Sequence, residues 1–82
     1  MAIRHLSAEM NIYLESEILA EQIYEALLPE INEEIKHTRA KCMPDGKLLK
    51  MVIEAEDIAG LRAAINSYLR WIDCEIRILE GV

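Results

Sequence analysis

The stretch Ala55-Glu56-Asp57-Ile58-Ala59-Gly60-Leu61-Arg62-Ala63-Ala64-Ile65-Asn66-Ser67-Tyr68-Leu69-Arg70-Trp71-Ile72 decides the reading of this chain. Asp57 is a preferred helix N-cap, because its carboxylate can accept from the free N–H groups of the first turn. The helix it opens can run to about Leu79, where Gly81 ends it. Such a helix is roughly 34 Å long at about 1.5 Å per residue. At about 100° per residue its side chains fall into three wedges.

The first wedge holds Ile58, Leu61, Ile65, Tyr68, Leu69, Ile72, Ile76 and Leu79 and is expected to lie on a sheet. The second holds Gly60, Ala64, Ser67, Trp71, Cys74 and Ile78, small residues with one large aromatic. It either packs on another helix of the same chain or meets a second polypeptide. The third holds Arg62, Asn66, Arg70, Asp73 and Arg77. It is a solvated face with local pairs such as Arg70 with Asp73, or a contact for phosphate or a partner's carboxylates.

Upstream, apolar residues at Leu6, Ala8, Met10, Ile12 and Leu14 alternate strictly, the period of a half-buried strand. Ser16 caps a helix whose apolar positions are Leu19, Ile23, Ala26 and Leu27. Pro29 is expected to close or kink it, leaving residues 30–35 as a last turn or loop. A second strand is expected from about Lys36 to Met43, with Thr38, Ala40 and Cys42 on one side and Arg39 and Lys41 on the other. Pro44-Asp45-Gly46 supplies hairpin chemistry. A third strand, Lys47 to Ala55, places Leu49, Met51, Ile53 and Ala55 on one face. The expected fold is α+β: a three-stranded antiparallel sheet in the order β-α-β-β-α, with both helices on one face. A strand of about eight residues spans only about 27 Å, so the last helix should overhang its sheet.

Size and charge narrow the functions. A chain of 82 residues is one domain, 1–82, and such a domain buries little core unless disulfides, metals or oligomerisation help. Cys42 and Cys74 lie on different elements and are expected to be reduced thiols, which leaves oligomerisation. The start Met1-Ala2-Ile3-Arg4-His5-Leu6 has no apolar signal core, since Glu9 interrupts it. The longest uncharged helical stretch, Ala63 to Leu69, is too short for a bilayer. A soluble, cytoplasmic protein with no membrane partner is expected. Net charge is −6, so phosphate would repel the isolated chain on average. RNA contact is therefore expected only within an assembly.

Chemistry-bearing patterns are sparse. The three glycines, at 46, 60 and 81, are isolated and form no phosphate loop. His5, His37, Cys42 and Cys74 lack zinc spacing. Cys42 and His37 would point to opposite faces of one strand. The carboxylates at Glu33-Glu34 and Glu54-Glu56-Asp57 suit loops and caps. No catalytic residue, metal site or cofactor is expected. An alternative reading is a small ligand-binding or enzymatic α+β domain built around Cys42, His37 and Glu54.

The run Ala55-Glu56-Asp57, then Leu61-Arg62-Ala63, then Asn66-Ser67-Tyr68-Leu69-Arg70 resembles the signature A-x-D, L-R-A, N-S-y-L-R of the small dimerising subunit of the KEOPS tRNA-modification complex. The upstream strand, the helix ending Leu27-Leu28-Pro29-Glu30 and the hairpin resemble it as well. The resemblance implies a non-catalytic subunit, either the principal one or a divergent archaeal paralogue. It would form a homodimer or pair with a paralogue, bind the threonylcarbamoyl transferase subunit and help hold tRNA. On that resemblance Leu61, Ala64, Ser67, Tyr68 and Trp71 would be partner-interface residues. Arg62, Asn66 and Arg70 would contact tRNA or stabilise the assembly.

Overall fold

The computed structural model describes residues 5–33 and 37–81. Its elements are β1 (Leu6–Tyr13), α1 (Glu17–Asn32), β2 (Thr38–Asp45), β3 (Leu48–Ala55) and α2 (Ile58–Glu80), the expected β-α-β-β-α order. The three strands form one antiparallel sheet with β3 in the centre, in the order β1-β3-β2. Strand alternation sends Leu49, Met51, Ile53 and Ala55 of β3 into the core, where each is buried. Ala20, Ile23 and Leu27 of α1 and Ala64, Tyr68 and Ile72 of α2 are buried with them, so the helices share one face of the sheet. The opposite face carries Ser7, Glu9, Asn11 and Tyr13 of β1 and Arg39, Lys41, Met43 and Asp45 of β2, all exposed.

Several boundaries differ from expectation. The second strand runs from Thr38 to Asp45 rather than from Lys36 to Met43, and Lys36 lies outside the described residues. Pro44 and Asp45 belong to that strand, opposite Leu49 and Leu48, and the turn is Gly46-Lys47. Gly46 stands at φ 61 at the first position of this two-residue loop, where a hairpin turn requires a positive φ. Proline is tolerated in β2 because the strand is an edge and its outward side needs no donor. The third strand accordingly begins at Leu48.

Of the two alternatives after Pro29, the structure shows the last turn: α1 continues through the proline to Asn32. The proline is exposed and close to the helix end, so the Glu25 carbonyl that loses its donor can turn to water. Ser16 caps this helix as expected, its Oγ accepting from the Leu19 N–H at 3.1 Å.

Candidate partner interface

Asp57 opens α2 with its Oδ1 accepting from the Gly60 N–H. Gly81, at φ 72, closes it, and its N–H donates to the Arg77 and Ile78 carbonyls. Gly60 sits where α2 leaves the sheet. A Cβ there would meet Asp57 Oδ1 at 3.1 Å, Thr38 Cγ2 at 3.6 Å and the Ala55 Cβ at 3.9 Å. The small side chain of Ala55, itself buried, thus belongs with the close approach of α2 to the strand ends.

The buried line of α2 runs through Ala64, Tyr68 and Ile72, between the two apolar wedges rather than down the middle of the first. This corrects the expected division. Ile58 and Leu69, assigned to the sheet side, are 54% and 44% exposed. Ala64, assigned to the second wedge, is a core residue. Of the five expected interface residues, Ala64 and Tyr68 are covered by the chain's own core. Leu61, Ser67 and Trp71 are half-buried and keep surface free.

Trp71 packs edge-on against Tyr68, with ring centroids 5.2 Å apart and planes at 83°. That geometry suits opposing ring quadrupoles and holds the indole in one orientation. Cys74 and Ile78 follow Trp71 at spacings of three and seven, so the three form a strip along one side of the helix. Cys74 is exposed and Ile78 is 66% exposed. Ile76 is the last α2 residue packed against the core, so the final turn overhangs as the length comparison predicts.

Arg62, Asn66 and Arg70 are all exposed on the far side of α2. Asp73 pairs with Arg77 at 3.1 Å, not with Arg70. The Asp73-to-Arg77 spacing of four, with the acid nearer the N-terminus, is the better helical arrangement.

The reading built on Cys42, His37 and Glu54 loses its geometry. Cys42 points to the core side of β2 and packs against the core cluster. Burial pushes its thiol up to about 11, although a backbone hydrogen bond from Met43 acts the other way. It is therefore a protonated, unreactive group at neutral pH. His37 lies at the sheet end and its Nδ1 stands 3.1 Å from Glu56. There, with His5 Nε2 at 3.6 Å from Glu54, it lines an open polar groove of about 490 Å³. The sequence reading missed these two pairs. The signal was the β1-β3-β2 order, which brings residues before β1 and before β2 to the same end of β3. Among the described residues no three His, Cys, Asp or Glu side chains converge in a way that could hold a metal. Nor is any described helix long and apolar enough to cross a membrane.

Residues 7–80 match the family described as "Transcription factor Pcc1". The chain belongs to the Pcc1 family. It is 30% identical over 81 residues to the KEOPS complex subunit Pcc1 of Pyrococcus abyssi (strain GE5 / Orsay), covering 98% of this chain and 99% of that one. Its fold is also that of a chain in the crystal structure of the binary complex Gon7–Pcc1, with a TM-score of 0.82 at 16% identity over 93% of this chain and 94% of that chain. In this Pcc1-family chain the motif residues divide by task. Ala55 and Asp57 set the junction of β3 and α2, Tyr68 builds core, and Arg62, Asn66 and Arg70 stand in solvent.

Proposed function

We propose that this chain is a non-catalytic, dimerising scaffold subunit of a KEOPS-type assembly, formed by residues 1–82 as one domain. It supports threonylcarbamoyl-adenosine formation in tRNA by binding the transferase subunit and helping to hold the tRNA, and it works in the cytoplasm. The observation that carries the proposal is the end-to-end similarity to a protein named as a KEOPS subunit. The surface of α2 supports it physically. Leu61, Ser67 and Trp71 border the buried line, and Ile78 continues the exposed strip from Trp71 past the last core contact. Aromatic anchors beside small side chains are what a docking helix needs. Arg62, Asn66 and Arg70 are exposed on the same helix, and in this reading they contact tRNA or stabilise the assembly.

The test is co-purification from the native cell, reading whether a threonylcarbamoyl transferase and tRNA accompany the chain. Trp71→Ala should weaken binding to the transferase by more than ~1 kcal/mol, read by calorimetry. Because Trp71 also supports Tyr68, Ile78→Asp is the companion variant. It leaves the core untouched and should weaken the same binding. Unchanged affinity in both variants rules out this face of α2 as the contact.

A further inference from the structure

We draw no further inference here: the strongest candidate, the apolar patch at the hairpin end of the helix-free sheet face where Tyr13 and Met43 are exposed, carries nothing because nothing in the structure shows what covers it.

Discussion

Gly60 sits in the first turn of α2, where helix propensity alone favours alanine by about 1 kcal/mol. The structure supplies the reason for the glycine. Its Cα faces Asp57 Oδ1 and the methyl of Thr38, and an added Cβ would press on the capping carboxylate at 3.1 Å. The propensity gain and the loss of cap geometry oppose each other. Gly60→Ala should therefore shift stability in urea unfolding by well under ~1 kcal/mol, rather than deliver the full propensity gain. Cys42 makes a second residue-level prediction. Its ordinary value of 9.0 is raised to about 11 in the fold, so between those values the unfolded chain loses the proton that the folded chain keeps. Unfolding is then favoured as pH rises, and stability should fall progressively from about pH 9 to about 11. Tyr68 works in the same direction. Burial is the larger cause of its raised pKa and the Glu30 and Cys42 charges add to it. Cys42→Ala should flatten part of the alkaline loss seen by circular dichroism, leaving the share that belongs to Tyr68.

At the scale of the element, the strands were the most readable part of this chain. Period-two alternation in Leu6–Tyr13 and Leu48–Ala55 puts one set of side chains on one face whatever the rest of the molecule does. Helix α2 was readable in type and length, since Asp57 and Gly81 mark its ends. Its rotation about its own axis was not. A helical wheel gives angles between residues but not which angle faces inward, and that choice depends on where α1 lies. With α1 alongside, the buried line settles on Ala64, Tyr68 and Ile72. Ile58 and Leu69 are left exposed on one flank and Ile78 on the other. Two substitutions separate core from flank. Ile72→Ala removes a side chain that is 3% exposed and should cost about 2–5 kcal/mol in denaturant unfolding. Ile78→Ser removes one that is 66% exposed and should change monomer stability by no more than about 0.5 kcal/mol. A large loss on Ile78→Ser in the isolated chain would mean that the final turn packs on its own fold.

For the whole molecule, the sequence located the helix proposed here as the interface but not which of its residues keep free surface. Leu61, Ser67 and Trp71 do; Ala64 and Tyr68 are spent on the core, because a chain of 82 residues has few other large or closely packing groups to place under its helices. The polarity of the molecule was equally hidden in the net charge. A value of −6 describes neither α1, which has no Lys or Arg, nor the helix-free sheet face, where Arg39, Lys41 and Lys50 stand among Glu9, Asp45 and Glu54. Common to every level is a helix with more apolar surface than its own sheet can cover. Sedimentation equilibrium of the purified chain, over a wide concentration range and with and without the transferase, tests that claim most directly. The account predicts a dimer that persists on dilution and a larger species when the transferase is added. A folded monomer at every concentration, unchanged by the transferase, would contradict it.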